Sequence, residues 1–382
     1  MKTVAIIGAG AAGLSCLKTL VEYKGDFHIQ LFDRNRAIGK KISATGNGHC
    51  NLSNANLTLD AYQGDILPLQ DVITSFDIES FCHDLGFLVQ KKGVLYYPFS
   101  LQAKTVVNAF DNLIHNYNVD LKLDTTIQHI IPLESGYQLV DQHQNTYKAD
   151  IVVVAAGAKA GKGFGTDGQI FDVLKELNLY ATKLRPSLVS LVTKENVKKL
   201  KGCRFHGIFT LKNNDIVVAS YKGEALITED GISGISCMQL SRFLEFDQNA
   251  RYTLHCNLIE DLNDEQLVHY YNTYGAKFDG IVLDKLAEYL SYKEVNSFKE
   301  FKAKLNDLTF HITNTRGFEF AQVTKGGIPL NYLNSHLMVK QFPNIYLCGE
   351  ILNVDGDCGG YNLHFAFATG QYVAYDIVQH II

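Results

Sequence analysis

The sequence predicts an α/β fold in which a domain with a parallel sheet is interrupted by an inserted domain. Apolar runs at residues 4–7, 149–158 and 342–349 are continuous rather than alternating, which is typical of parallel strands buried on both faces. Between the second and third runs the sequence changes to short strand-like segments and charged helix-like ones. We therefore expect the first and last parts of the chain to form one domain.

The turn after the first apolar run has the spacing of a dinucleotide-binding loop. Gly8, Gly10 and Gly13 form the pattern G-x-G-x-x-G, and Asp33 follows the last glycine by twenty residues, at the end of another apolar run. Such glycines allow a tight turn, close approach to a pyrophosphate and helix packing, while the acid bonds a ribose hydroxyl. We predict an adenine dinucleotide site here, although a structural turn is the alternative. Its further expected contacts are Ala11, Ala12 and Arg34.

Periodicity predicts the elements that follow. Residues 71–85 and 101–117 have apolar spacing suited to helices, whereas 120–147 alternate and contain turn signals, which indicates a small antiparallel meander. The run 149–158 ends in small residues at the carboxyl edge of its strand, where ligands of open α/β sheets bind. The residues expected to contact a ligand there are Ala155, Ala156 and Gly157.

The inserted domain is expected at residues 187–322. Short strands and turns characterise 187–257 and 309–322, and a helical segment rich in charge occupies 258–308. Its position between the two halves of the dinucleotide domain predicts that it sets substrate choice.

The dinucleotide domain is expected to comprise residues 1–186 and 323–382. Its second part contains the apolar run 342–349, read as a buried strand, and 361–380, read as a helix. A nicotinamide enzyme normally needs only the first loop. A flavin enzyme of the glutathione-reductase type uses all three apolar elements, because FAD lies extended across its domain. We therefore predict FAD as the cofactor.

Composition excludes several classes of protein. The formal charge of −5 argues against a nucleic-acid-coating surface, so we expect a small-molecule substrate and no nucleic-acid partner. The one basic cluster is read as a solvated face and consists of Lys194, Lys198, Lys199, Lys201 and Arg204. No apolar stretch approaches the ~20 residues that span a bilayer, and glycines interrupt the N-terminal run, against a signal peptide. Eight cysteines without C-x-x-C favour a reducing, cytoplasmic setting.

Several longer strings resemble the HI0933-like flavoprotein family, also described as aminoacetone-oxidase-like FAD enzymes, over nearly the whole chain. The strings are GKKISATGNGHCNLSN (39–54), RPSLV (185–189), GEALITEDGISG (223–234), VTKGGIPL (323–330) and CGEILNVDGDCGGYNL (348–363). The resemblance implies a glutathione-reductase-type FAD/NAD(P)-binding Rossmann domain with an inserted β-rich domain and helical subdomain. It also implies FAD-dependent two-electron or hydride transfer between a small organic substrate and either NAD(P)H or oxygen.

The resemblance also assigns roles along the flavin. The 39–54 segment passes beside the cofactor in such proteins, and its candidate contacts are Lys41, Ser43, Asn47 and Asn51. A surface loop held by its own Asx turns is the alternative. Gly349 and Glu350 correspond to the Gly-Asp pair that bonds the ribityl chain in many FAD proteins. Asp355 is a second candidate, with turn capping as the alternative.

The start of the last helix is expected to face the flavin ring, where the helix dipole would stabilise negative charge. The residues concerned are Gly360, Tyr361, Asn362 and Leu363. Close packing at the glycines is the alternative. Two further residues have two possible roles each. Cys50 is either redox-active or a packing residue, and His364 is either a proton donor or a core residue.

The chain departs from the family pattern at His49, Lys325, His364 and the shortened segment 161–168. These positions fall on the expected ring or substrate side, so the resemblance implies FAD binding but not a particular substrate. No catalytic residue and no metal ligand is assigned. The alternatives from other classes are a flavin-dependent tRNA-modifying enzyme and a non-catalytic flavin-binding protein.

Overall fold

The structure, a computed structural model, describes residues 1–23, 27–291 and 294–381. The chain divides into two compact units. The first unit combines Met1–Arg185 with Val323–Ile382, and the second unit is Pro186–Gln322.

The strands and helices are numbered in chain order. The strands up to the second unit are β1 (Lys2–Ile7), β2 (Phe27–Phe32), β3 (Ser53–Asn54), β4 (Tyr62–Gly64), β5 (Val89–Lys92), β6 (Leu95–Pro98), β7 (Asp120–Lys122), β8 (Ile127–Pro132), β9 (Tyr137–Asp141), β10 (Thr146–Ala149), β11 (Ile151–Val154) and β12 (Arg185–Ser187). The later strands are β13 (Leu191–Thr193), β14 (Arg204–Asn213), β15 (Ile216–Ile227), β16 (Gly231–Ser233), β17 (Tyr252–Asn257), β18 (Leu308–Thr315), β19 (Val323–Lys325), β20 (Ile345–Leu347) and β21 (Val354–Gly356). The helices are α1 (Ala11–Glu22), α2 (Gln70–Ser75), α3 (Ile78–Asp84), α4 (Ala103–Asn116), α5 (Ile170–Glu176), α6 (Ile235–Ser241), α7 (Asp264–Tyr274), α8 (Asp284–Ser291), α9 (Phe298–Asn306) and α10 (Tyr361–Ile381).

The first unit is built on a five-stranded parallel sheet with the order β20-β11-β1-β2-β7. Ile7 at the end of β1 pairs with Val154 on one side and with Phe32 on the other, and Val154 pairs with Leu347. The carboxyl ends of four neighbouring strands are therefore level with one another. All four residues of β11 are buried, which accounts for its continuous apolar run and confirms the predicted α/β fold.

The expected meander is wrong in its first strand. β7 pairs in parallel with β2 and forms the far edge of the main sheet, whereas β8, β9 and β10 make the antiparallel meander. A three-residue edge strand is too short for alternation to identify its neighbour. The first unit also contains two smaller antiparallel sheets, β3-β6-β5 and β4-β21.

The helix expected at 71–85 is interrupted in the structure. α2 ends at Ser75, and Asp77 begins α3 by accepting hydrogen bonds from the amides of Glu79 and Ser80 at 2.9 and 3.3 Å. An aspartate at this position is a strong N-cap, which favours a new helix start over a continuous helix. The helix expected at 101–117 is confirmed as α4, which buries one apolar face.

The last helix, α10, packs closely along α1. A side chain at Gly370 would overlap the carbonyl oxygen of Ala12, so only glycine allows this approach. The Ser15 hydroxyl on α1 donates to the carbonyl of Phe367 at 2.6 Å. The end of the chain thereby covers the first helix and completes the core of the first unit.

The second unit contains a closed barrel with the strand order β13-β16-β15-β14-β17-β18, and α7, α8 and α9 lie between β17 and β18 in the chain. Leu254 and Phe310 of the barrel share one buried core with Leu286 and Phe301 of the helices. No helix in the described ranges, α10 included, combines the length and apolarity needed to cross a bilayer.

Candidate cofactor site at the carboxyl edge of the parallel sheet

The three glycines of the N-terminal turn have different surroundings. Gly8 has φ +110°, and a Cβ there would lie 2.5 Å from the carbonyl oxygen of Ala155. A Cβ at Gly13 would overlap the carbonyl oxygen of Gly8. A Cβ at Gly10 would meet no atom within 4 Å, and α1 begins there without a side-chain cap. The space beside Gly10 at the start of α1 is therefore open, and the amides of a helix N-terminus are suited to bind a pyrophosphate group.

Asp33 lies at the end of β2 and holds this turn. One carboxylate oxygen accepts the amide of Ala9 at 2.8 Å, and the other accepts the amide and the side-chain nitrogen of Asn35 at 2.8 and 2.9 Å. A carboxylate has about four acceptor positions, so Asp33 keeps capacity for a ribose hydroxyl. The predicted ribose acid thus also fixes the backbone that follows β1 and the backbone that follows β2.

Arg34 points to a neighbouring loop. Its guanidinium lies 2.6 Å from the carboxylate of Asp167. Burial alone would raise the pKa of Asp167, but hydrogen bonds and the charge of Arg34 lower it below its usual value. Arg34 and Asp167 therefore form a charged pair beside the predicted ribose position. The guanidinium of Arg34 is directed to Asp167.

Two predicted site residues from opposite ends of the chain meet each other. The Lys41 ammonium lies 2.7 Å from Glu350 Oε2 and also donates to the carbonyl of Ala160 at 3.3 Å. The other oxygen of Glu350 accepts the amide of Thr324 at 2.8 Å. A Cβ at Gly157 would lie 3.9 Å from Glu350. Lys41, Gly157 and Glu350 thus converge at the carboxyl ends of β11 and β20.

Within the 39–54 segment, Ile42–Gly48 form an irregular 3-10 turn, and the last two residues form β3. Asn47 has φ +53° and is exposed, as is Ser43. With its amide oriented so that the NH2 faces two carbonyls, Asn51 donates to Ser53 and Tyr96 and accepts from the amide of Gly360 at 3.2 Å. Asn51 therefore ties this segment to the start of α10, while Ser43 and Asn47 lie on the surface of the turn.

The residues at the start of α10 are held by contacts with neighbouring segments of the first unit. The Tyr361 ring is buried against Tyr62, and its hydroxyl donates to the carbonyl of Asn56 at 2.9 Å. The Asn362 side chain bonds the backbone of Gly356 in both directions at 2.8 Å. Gly360 has φ +93°, and a Cβ there would lie 2.5 Å from the carbonyl of Ser53. Close packing at Gly360 is therefore real, and the Tyr361 and Asn362 side chains bond to neighbouring protein groups.

Asp355 and Leu363 complete the predicted set. Asp355 is buried on β21, opposite Gln63 of β4, so it belongs to a small sheet rather than to an exposed turn. Leu363 is half-buried in the first turn of α10. Gly349 has φ +76° and lies against Ala12 of α1, which brings the C-terminal loop to the N-terminal helix.

The surroundings of His364 and Cys50 favour packing for both residues. His364 is fully buried; its Nε2 donates to the carbonyl of Ile73 at 2.9 Å and its Nδ1 accepts from the Ser53 hydroxyl at 2.7 Å. Burial lowers the pKa of His364 to about 4. Burial raises the pKa of the Cys50 thiol to about 11. At neutral pH the imidazole is therefore uncharged and the thiol protonated, and both groups are buried.

Two residues of the site were missed by sequence reasoning. The Thr324 hydroxyl accepts the amides of Lys159 and Ala160 at 3.0 and 2.8 Å, so it anchors the loop after β11. Asn35 joins Asp33 to the carbonyl of Phe164 at 3.0 Å. The available signals were the glycine-rich string that follows Thr324 and the Asx-turn spacing of Asn35 after Asp33.

Comparison with known proteins places this geometry in a family. Residues 2–376 match the HI0933-like protein Rossmann domain. A 3-dehydro-bile acid delta(4,6)-reductase from Clostridium scindens is 28% identical over 97% of each chain. A ribosomal RNA dihydrouridine synthase from Escherichia coli is 24% identical over 98% of this chain and 97% of that one.

Among solved structures, a 3-ketosteroid delta1-dehydrogenase from Sterolibacterium denitrificans is similar in fold. Its TM-score is 0.50 at 10% identity, with 100% of both chains covered. The family match spans nearly the whole sequence and includes every strand end described above. The chain therefore belongs to the HI0933-like family and has the Rossmann-type α/β fold of flavin-dependent oxidoreductases.

Proposed function

We propose that this chain is an FAD-dependent oxidoreductase that reduces a carbon–carbon double bond in a small molecule. The observation that carries cofactor binding is the contrast among the three glycines of the first turn. Backbone encloses Gly8 and Gly13, whereas Gly10 leaves the start of α1 open. A helix N-terminus with accessible amides suits a pyrophosphate, because its N–H groups and its dipole both favour negative charge.

The flanking residues fit the rest of an extended dinucleotide. Asp33, on the β2 side of the turn, is positioned for the adenosine ribose. Glu350, on the β20 side, is positioned for the ribityl chain and is held there by Lys41 and the Thr324 amide. Bound FAD would supply the two-electron chemistry that amino-acid side chains do not offer.

The substrate class is inferred from chemistry that two relatives share. Reduction at the 4,6 positions of a 3-dehydro bile acid and formation of dihydrouridine both add two hydrogens to a double bond conjugated to a carbonyl group. We therefore propose an α,β-unsaturated carbonyl compound as the substrate of this chain. The carbonyl would draw electron density from the double bond and so assist its reduction.

The name of the E. coli relative supports RNA as an alternative substrate. Phosphate binding needs free cations, and the basic cluster of the second unit offers few. Lys198 and Lys201 both lie within 3.5 Å of Glu229. Arg204 lies 2.5 Å from Glu224. With a formal charge of −5 for the whole chain, this pairing favours a small molecule over RNA.

We further propose NAD(P)H as the electron donor and a cytoplasmic location. A reducing enzyme needs an electron donor, and seven buried cysteine thiols suit a reducing compartment. Oxygen as an oxidant would instead define an oxidase, and a flavin that exchanges electrons with no partner would indicate a non-catalytic binder. The test below separates these cases.

The purified protein should be yellow, and the released pigment should be FAD by chromatography. Anaerobic NADPH or NADH should bleach the flavin absorbance, and unsaturated oxo-steroids should restore it with a product that has gained two hydrogens. In parallel, ribosomal RNA transcripts should bind weakly at low salt and yield no dihydrouridine. Colourless protein that takes up no FAD would disprove the proposal. Turnover on RNA without turnover on oxo-steroids would show that RNA, and not a small unsaturated carbonyl compound, is the substrate.

A further inference from the structure

The segment 158–168 leaves the carboxyl end of β11 and reaches residues that follow β2. The Asn35 side chain donates to the carbonyl of Phe164 at 3.0 Å, and Arg34 pairs with Asp167 at 2.6 Å. In the sheet, β1 lies between β11 and β2. Because neighbouring strands are about 4.8 Å apart, the segment must cross roughly 10 Å and pass the end of β1. That end carries the open turn at Gly10.

The segment is anchored at its base. The Thr324 hydroxyl accepts two successive amides of the segment, those of Lys159 and Ala160. The Lys41 ammonium and the Thr166 hydroxyl both donate to the carbonyl of Ala160. The base of the segment, residues 159–160, therefore lies beside Glu350. Its tip, residues 164–167, lies beside Asp33.

A glycine at the tip of the segment permits its close contact with Asn35. A Cβ at Gly165 would lie 2.5 Å from the side-chain nitrogen of Asn35, so glycine permits the approach. Asn35 also donates to the Asp33 carboxylate at 2.9 Å. The same amide group thus connects the segment to the acid that we place on the adenosine ribose. The Arg34 and Asp167 side chains are 33% and 25% exposed, so their attraction is only partly screened by solvent.

We propose that residues 158–168 form a strap over the adenosine half of the dinucleotide, closed by the Arg34–Asp167 pair. The proposal rests on the proposed FAD site and assigns to it a segment that the glycine fingerprint does not include. The ligand chemistry is that of an adenosine diphosphate group, held between the turn at Gly10 and the strap. The strap should slow release of the cofactor, because the adenosine half cannot leave until the pair opens.

The test compares two neighbouring ion pairs. Arg34→Met and Asp167→Asn remove the strap pair, whereas Arg36→Met removes the exposed pair of Arg36 with Asp124, whose side chains are 91% and 61% exposed. The FAD dissociation rate of the holoprotein is measured from the rise in fluorescence on release, with a scavenger present. We expect the two strap variants to release FAD about three- to tenfold faster, a change of roughly 0.7–1.4 kcal/mol. Arg36→Met should match the wild type.

ADP and FMN identify which half of the cofactor is affected. ADP should compete with FAD for the apoprotein, and its affinity should fall by the same factor in Arg34→Met and Asp167→Asn. Affinity for FMN, which lacks the adenosine half, should not change. The strap is disproved if the rate of FAD release is unchanged in both strap variants or if Arg36→Met raises it equally. It is also disproved if affinity for FMN falls as much as affinity for ADP. A wild-type protein that binds no FAD would instead disprove the proposed function, so the two failures are distinguishable.

Discussion

Replacing Gly10 with valine should abolish FAD binding while the fold remains intact. The backbone at Gly10 has φ −88°, which any residue adopts, and a Cβ there meets no protein atom within 4 Å. The apoprotein should lose only about 1 kcal/mol, the usual difference between glycine and an apolar residue at an N-cap. The valine side chain would occupy the space in front of the α1 amides.

The effect on affinity can be estimated from the bonds that the valine would block. Hydrogen bonds from amides to a charged group contribute about 1.5–3 kcal/mol each. Loss of two such bonds to the pyrophosphate amounts to at least ~3 kcal/mol, which corresponds to more than a hundredfold in dissociation constant. Titration of apoprotein with FAD, followed by flavin fluorescence, measures this directly.

Gly13→Ala provides the matched control. A Cβ there overlaps the Gly8 carbonyl oxygen, so the turn itself must shift, and overpacking of this kind costs about 1–3 kcal/mol. Thermal melting of the two apoproteins should therefore show Gly13→Ala as the less stable variant, although its substitution is the smaller. A Gly10→Val protein that retains its full flavin absorbance would show that the pyrophosphate lies elsewhere.

Three further results are expected. Lys41→Met should weaken FAD binding about tenfold, because it removes the ion pair that holds Glu350, and Lys41→Arg should recover part of the affinity. FAD titration measures both, and equal affinity in Lys41→Met and wild type would contradict the assigned role. The contribution of His364 to the free energy of unfolding should fall by about 3 kcal/mol between pH 7 and pH 4, because the unfolded chain protonates this residue near 6.5 and the folded chain only near 4. Denaturant melts of wild type and His364→Gln should therefore differ in how the free energy of unfolding depends on pH over this range. Cys50→Ala should leave turnover unchanged, since burial raises the pKa of that thiol to about 11, and any loss of rate above twofold in steady-state assays would argue for a thiol role.

The sequence predicted those features that depend on one stretch of chain. The spacing of Gly8, Gly10, Gly13 and Asp33 identified the dinucleotide turn, because each residue answers a local requirement of a strand-turn-helix unit. The continuous apolar run at β11 indicated a central parallel strand for the same reason. FAD binding at these residues stays a prediction until the cofactor is measured.

Features that depend on contacts between distant segments could not be predicted from the sequence. Lys41 and Glu350 were each predicted to touch the cofactor, yet no pattern indicated that they touch each other across 309 residues. Arg34 was placed on the cofactor because it follows Asp33, whereas its charge is directed to Asp167. The buried state of His364 depends on Ser53 and Ile73, which arrive from other parts of the fold.

The position of β20 at the edge of the main sheet has a consequence for biosynthesis. Residues 1–185 supply four of the five strands, but β20 and α10 emerge from the ribosome only after the whole second unit. Until then the outer edge of β11 and the apolar face of α1 have no covering partner, and nascent chains in that state are prone to aggregate. Chaperone dependence, and low yield of any fragment that stops before Ile345, should follow from this order of assembly.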